Sequence, residues 1–513
     1  MTRRRSDRRT GTLRKLLAAG AALGLGVAAV SALAFTTAPA VYLPAMAAVL
    51  LAEAAAAAVL LRRRAADYDI RSLKRVLAPR LSVEGRWPLE ERNRAMAQVQ
   101  AASDRAHNGF RNGPSQVLER ISRDTSQSAS VRSFAAEELR KLGDPRKPST
   151  GGGTRTTERF DVVVVSNFNL PGGTTTSNAN EIRLLVENGK RVGLFHHPLY
   201  SANSARPLNR KIADLVDGEA VKLIEPEAQV SCDLLIMRFP PFATRLREDL
   251  PTIESPEKIL VINQAPMTYY DAIAGRKRIW DVATVHENLS SWIGEHRWAA
   301  AGPLVRQALI DHHTDDLTGV ELSEDFWYPT LDLGNLKRRP SDPPRTPLRL
   351  GRHSRDHVSK WPELASDLRA CYPEGPDFEI RVLGGAGSPR KVLGRLPSNW
   401  TVHQFDSIPV GDFLPELDFY VYYPSSTLLE AFGRAPVEAM ASGVPTILPP
   451  VFASVFGDGA VYATPDEVAG VATALAGDPQ QFAIQQKRGM EAAHERFGFE
   501  AHLGRLRSAG VDL

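Results

Sequence analysis

At 513 residues with 43% hydrophobic side chains, the chain is too long for one core and divides into two or three domains. Its formal charge is +4, but residues 1–64 carry ten basic side chains against Asp7 and Glu53, a surplus of eight that leaves the remainder at −4. A mildly acidic globular part excludes a nucleic-acid footprint. Two distant cysteines, Cys232 and Cys371, exclude a disulfide framework and a cysteine-built zinc site, as suits a reducing compartment.

The run Leu16–Phe35 has no charge, and Ala40–Leu61 is interrupted only by Pro44 and Glu53. Each has about the 20 apolar residues a bilayer crossing needs. Arginines on both outer flanks predict a transmembrane helical hairpin over 1–64 with both ends in the cytoplasm. The competing reading is a cleavable signal peptide ending at Ala38-Pro39-Ala40; it leaves the second run and Arg62-Arg63-Arg64 unexplained. Residues 65–142 read as a helical spacer broken at Pro79, Pro88 and Pro114, a solvated stalk. The Gly/Pro/Ser/Thr-rich stretch 143–157 is a flexible linker and a domain boundary.

From Phe160 short apolar runs alternate with helical stretches, the pattern of an α/β fold with parallel strands. The first round comprises Phe160–Ser166, Arg191–Phe195, Asp233–Arg238, Lys258–Asn263 and Asp281–Val285, within a domain spanning 158–340. After the Pro-rich break Arg338–Pro347, a second round, Leu348–Arg352, Phe378–Gly385, Asp418–Pro424 and Val444–Pro450, spans 345–490. Residues 491–513 read as a C-terminal helix that packs back on the first domain. Two such doubly wound, Rossmann-like domains place ligands in the cleft between them, at the carboxyl ends of strands.

The loops after those strands carry the candidate chemistry. "NLPGGTTTSNANEI" (Asn169–Ile182) leads into a helix, so Gly172 and Gly173 allow backbone amides to approach a ligand; the absence of G-x-G-x-x-G argues against a dinucleotide. "GRHSRDHVSKWP" (Gly351–Pro362) offers Arg352, Arg355 and Lys360 to a diphosphate, or is a solvated basic loop. His353 and His357 in it are polar supports rather than metal ligands. In "EAFGRAPVEAMASGVPTILPP" (Glu430–Pro450), Pro436 is the expected first helical residue and Gly443 follows the last. Glu438 then falls in the first turn, suited to accept sugar hydroxyls. Glu430 precedes the turn.

These segments together resemble the retaining group 1 glycosyltransferases (glycosyltransferase family 4, GT-B fold). "EAFGRAPVEAMASGVPTI" resembles the family's E-x7-E signature, the Gly351–Pro362 loop its phosphate-binding segment, and "VLGGAG" (Val382–Gly387) its glycine turn. The resemblance implies that Glu438 binds the ribose of a nucleotide sugar and that Glu430 contacts the donor sugar. It also implies that Arg352 and Lys360 neutralise the diphosphate, that Phe432, Gly433 and Gly384 line the donor site, and that Gly172 and Gly173 line the acceptor side. Arg355 fits the family's Arg-to-Lys spacing better than Arg352, so which arginine meets the phosphate stays open. Trp361-Pro362 stands where a glycine is usual. His286, after the Asp281–Val285 run, is an acceptor-side candidate or a core or surface histidine. No metal or other cofactor is implied. The implied partners are a nucleotide sugar, a glycan or lipid-linked acceptor and a membrane; the implied setting is the inner membrane, with the catalytic domains cytoplasmic. The alternatives are a non-catalytic membrane-tethered nucleotide-sugar sensor and a sugar-nucleotide epimerase of the same fold.

Overall fold

The computed structural model describes residues 89–110, 112–142, 157–200, 207–270 and 277–513. The apolar runs of the expected hairpin and most of the 143–157 linker lie outside them. Among the described residues no helix is long and apolar enough to cross a membrane.

Sixteen strands are described. They are β1 (Glu158–Arg159), β2 (Val162–Ser166), β3 (Val192–His196), β4 (Val221–Leu223), β5 (Gln229–Ser231), β6 (Leu234–Arg238), β7 (Thr252–Glu254), β8 (Glu257–Ile262), β9 (Arg297–Ala300) and β10 (Glu321–Leu322) in the first domain. The second domain holds β11 (Leu348–His353), β12 (Phe378–Leu383), β13 (Trp400–His403), β14 (Phe419–Val421), β15 (Thr446–Leu448) and β16 (Val461–Tyr462). The main sheets run β10-β9-β8-β6-β2-β3-β4 and β13-β12-β11-β14-β15-β16, and β1-β5-β7 form a small third sheet. Every strand pair is parallel. Within each main sheet the first strand lies between the second and the fourth, the Rossmann order, whose ligand crevice opens where the strand order reverses. In the second domain that point lies between the carboxyl ends of β11 and β14.

The strand residues explain this arrangement. Val162–Ser166 is buried along its whole length. Val163 and Val165 enter one core cluster while Val162 and Val164 enter the other. A strand covered on both faces therefore reads as an unbroken apolar run. The expected strand Asp281–Val285 is instead the start of the helix Val282–Ile293, because the Asp281 carboxylate accepts from the Thr284 amide and caps it. The strand that follows is Arg297–Ala300, which the sequence reading passed over.

Three helices, Leu89–His107, Asn112–Arg123 and Ala129–Lys141, share a small core that includes Val99, Leu118, Ile121 and Val131. Pro114 sits in the first turn of the second helix and does not break it. These helices are not a solvated stalk. Phe110 packs edge-on against His197 and Tyr200 of the first domain, and the Gly109 carbonyl accepts from the Glu248 amide. At the other end, the helix Pro479–Phe497 packs on the second domain, and the chain then breaks at Gly498. The last helix, Phe499–Ser508, contributes Leu503 and Leu506 to a core of the first domain.

Candidate functional site at the interdomain cleft

Strand β11 ends in Arg352 and His353, and the structure separates their fates. Arg352 is fully buried. Its guanidinium lies over Trp361 (4.0 Å) and Tyr422 (4.8 Å), and it donates to the Tyr372 hydroxyl, the Ser354 hydroxyl and the Lys360 carbonyl. It therefore holds the loop that carries Lys360 and does not itself face a ligand, which corrects the expectation that it meets a phosphate. Trp361, where the family pattern has a glycine, is the lid over this cation. Arg355, three residues on, is exposed.

Lys360 and Glu430 meet at 2.5 Å, with the side chains 26% and 18% exposed. The Tyr422 hydroxyl donates to the same Glu430 oxygen at 2.8 Å. Burial, and then the adjacent Glu430 charge, raise the Tyr422 phenol well above its ordinary pKa, so it stays a donor. A second contact from β11 to the segment after β14 involves Glu438: His353 Nε2 lies 2.8 Å from its Oε2, and Arg434 Nε donates to Oε1 at 2.7 Å. Burial opposes the Glu438 charge, but these partners, His353 first, hold the carboxyl below its usual range. The helix carrying it is Arg434–Ala441, capped by Gly433 at φ 88°. It starts two residues before Pro436, so Glu438 belongs to its second turn and not its first.

Several expected contacts fall elsewhere. A Cβ on Gly384 (φ 120°) would stand 1.8 Å from the Ser354 carbonyl oxygen, so this glycine lets two loops touch and does not face the donor. The neighbouring helix Gly387–Leu393 already has its amino end filled, because Asp356 accepts from the Gly387 and Ser388 amides. The Phe432 ring is buried against Tyr328 and Phe497 where the chain crosses between domains. Only its backbone is left to face a ligand. Gly172 (φ 106°) and Gly173 open the helix Gly173–Glu187, and no atom lies within 4 Å of a Cβ built on either. His286 is not at the cleft. Its ring lies 5.6 Å from that of His296, which precedes β9 and so marks the amino ends of the strands.

A cavity of about 560 Å³ adjoins Glu430, within the size range of small-molecule sites. One wall is the first-domain helix Pro303–His313 with Tyr270; the other is built mainly by the segments after β11, β14 and β15. Close packing brings the domains together here: a Cβ on Gly302 would lie 3.0 Å from the Ala431 carbonyl oxygen. A more open depression of about 610 Å³ lies on the first domain around Arg245, Asn288 and Trp292, away from both glutamates. Among the described residues no group of three or more His, Cys, Asp or Glu side chains is placed to hold a metal. The sequence reading missed Tyr422 and the Glu438 partner role of His353. The signal for Tyr422 was the alternation of Tyr420 and Tyr422, which puts both rings into one core cluster.

No family model matches the chain and no curated protein is detectably similar. Among solved structures, HepE of Anabaena in complex with UDP and glucose is similar over 69% of this chain and 100% of its own, at 14% identity and a TM-score of 0.46. A glycosyltransferase of Rickettsia africae matches over 69% and 97%, at 13% identity and 0.46. An α-glucosyltransferase in complex with UDP and a 13-mer DNA matches over 68% and 99%, at 8% identity and 0.45. At such TM-scores these likenesses bear no weight; the residues of the cleft do.

Proposed function

We propose that the protein is a GT-B glycosyltransferase that moves a sugar from a nucleoside diphosphate sugar to an acceptor hydroxyl with retention of configuration. The observation that carries this reading is the pairing of Lys360 with Glu430 at the carboxyl edge of a Rossmann-ordered sheet, beside Glu438 and a cavity shared by both domains. An ammonium ion held by one carboxylate is ready to exchange that partner for a diphosphate. Arg355, exposed on the segment between β11 and Lys360, adds a second cation to that segment, and Glu438 keeps lone pairs for ribose hydroxyls.

In the reaction, the bond between the anomeric carbon and the diphosphate oxygen breaks, the acceptor oxygen bonds to the same face, and its proton passes to the departing diphosphate. Glu430 is engaged by Lys360 and Tyr422, which suits a contact to the sugar better than a free nucleophile. Lys360 supplies charge stabilisation to the leaving group, so the reading requires no metal. The apolar runs within residues 1–64 would anchor the enzyme to the inner membrane with its catalytic domains cytoplasmic, in reach of cell-envelope acceptors.

The test is transfer from a panel of radiolabelled nucleoside diphosphate sugars. Lys360→Ala and Glu438→Ala are expected to abolish transfer with unchanged circular dichroism. Full activity in either variant contradicts the site.

A further inference from the structure

The cavity beside Glu430 has a chemical character of its own. Its first-domain wall is aromatic: the Tyr270 ring stacks on His312 at 4.4 Å and 17°, and its hydroxyl is fixed by His313 Nε2 at 3.2 Å. Next to this stack stand Gln307 and Asp311, the amide donating to the carboxylate at 2.7 Å. Across the cavity are Glu363, which accepts from the Ser426 amide and hydroxyl, and Asp367. No lysine or arginine lines it. Among the described residues Asp311, Glu363 and Asp367 form no ion pair, whereas Glu430 is neutralised by Lys360.

Rigid rings beside planar amide and carboxylate groups suit a pyranose, which has an apolar face and vicinal hydroxyls at its edge. The lining charge decides which pyranose. Asp311 and Glu363 are exposed and Asp367 is half-buried; without a cationic partner among the described residues, the three carboxylates together repel a second anion. The same carboxylates attract an ammonium group.

We propose that this cavity is the acceptor-sugar subsite and that it selects a neutral or amino-bearing pyranose over an anionic one such as a uronic acid or sugar phosphate. This rests on the transferase reading of the cleft: Glu430 stands at the junction, its partner Lys360 directed to the donor and the cavity to the acceptor.

The experiment titrates the full chain with methyl glucoside, methyl glucosaminide and methyl glucuronide, followed by saturation-transfer NMR. The first two are expected to bind saturably and the glucuronide at least about tenfold more weakly, equivalent to about 1.4 kcal/mol. Tyr270→Ala should weaken the glucoside about tenfold or more with unchanged circular dichroism. Asp311→Asn combined with Glu363→Gln should narrow the gap between glucosaminide and glucuronide. Equal binding of the glucuronide, no binding of any glycoside, or unaltered binding by Tyr270→Ala overturns the inference. Displacement of the glycosides by a nucleoside diphosphate also overturns it, because the cavity is then the donor's. Failure of every nucleoside diphosphate to bind sinks the transferase reading while the glycoside selectivity stands as measured.

Discussion

The two domains each place a Glu-centred ion pair beside the carboxyl end of a parallel strand, and the pairs differ in their access to solvent. In the first domain, Arg238 at the end of β6 meets Glu181 at 2.8 Å, with the side chains 3% and 0% exposed. The carboxylate is enclosed further by Trp327 and by His502 of the last helix. Burial opposes the Glu181 charge, yet Arg238 and His502 hold it well below the usual carboxylate range. In the second domain, Lys360 and Glu430 reach the cleft and remain partly solvated. The same chemistry therefore serves two ends. A pair enclosed on all sides, with His502 against its carboxylate, ties the C-terminal helix to the first domain, and a pair with a free side is available to a ligand. Arg352 extends the lesson, because full enclosure removes it from the ligand-facing set despite its place at the carboxyl end of β11.

The comparison can be broken in four ways. Glu181→Ala strands Arg238 in the core and is expected to cost about 3–5 kcal/mol, measured by urea unfolding. The same substitution at negligible cost would show that enclosure is not what distinguishes the pairs. Lys360→Ala should instead leave stability within about 1 kcal/mol but weaken nucleoside diphosphate binding about 100-fold, as calorimetry would register. If it unfolds the protein, Lys360 is structural.

The third concerns acid. His196 and His197 are depressed to about 4 and about 3, by burial and then by the Arg247 charge, and burial likewise lowers His502. Unfolding returns each to about 6.5. The unfolded chain then binds more protons, so stability is full above that value and falls as the pH drops toward 4, by up to about 1.4 kcal/mol per unit for each histidine. A flat urea midpoint from pH 7 to 5 would contradict these burials. The smallest effect is expected from exposed Arg355: Arg355→Ala should weaken nucleotide binding about threefold, with the loss vanishing in high salt.

Much of the fold was legible because buried parallel strands advertise themselves. "VVVVS" and "LLIMR" are buried on both faces. The helix mistaken for a strand was not, since Asp281 and Thr284 supply a cap within an apolar run that alternates poorly with either period. Strand Arg297–Ala300 was too short and too polar at its start to stand out. At the site, Lys360, Glu430 and Glu438 could be named from loop position and turn chemistry. Their partners could not, because His353 meets Glu438 across 85 residues and Lys360 meets Glu430 across 70. The burial of Arg352 depends on Trp361, Tyr372 and Tyr422 converging from three segments, which local sequence does not encode.

The central claim is that Lys360 exchanges Glu430 for a nucleoside diphosphate. Calorimetric titration of the full chain and of Lys360→Ala with the common nucleoside diphosphates tests it most directly. The account predicts saturable one-site binding of at least one nucleotide to the parent chain and its loss in the variant at an unchanged urea midpoint. Equal affinity in the two proteins, or no nucleotide bound by the parent chain, would contradict it.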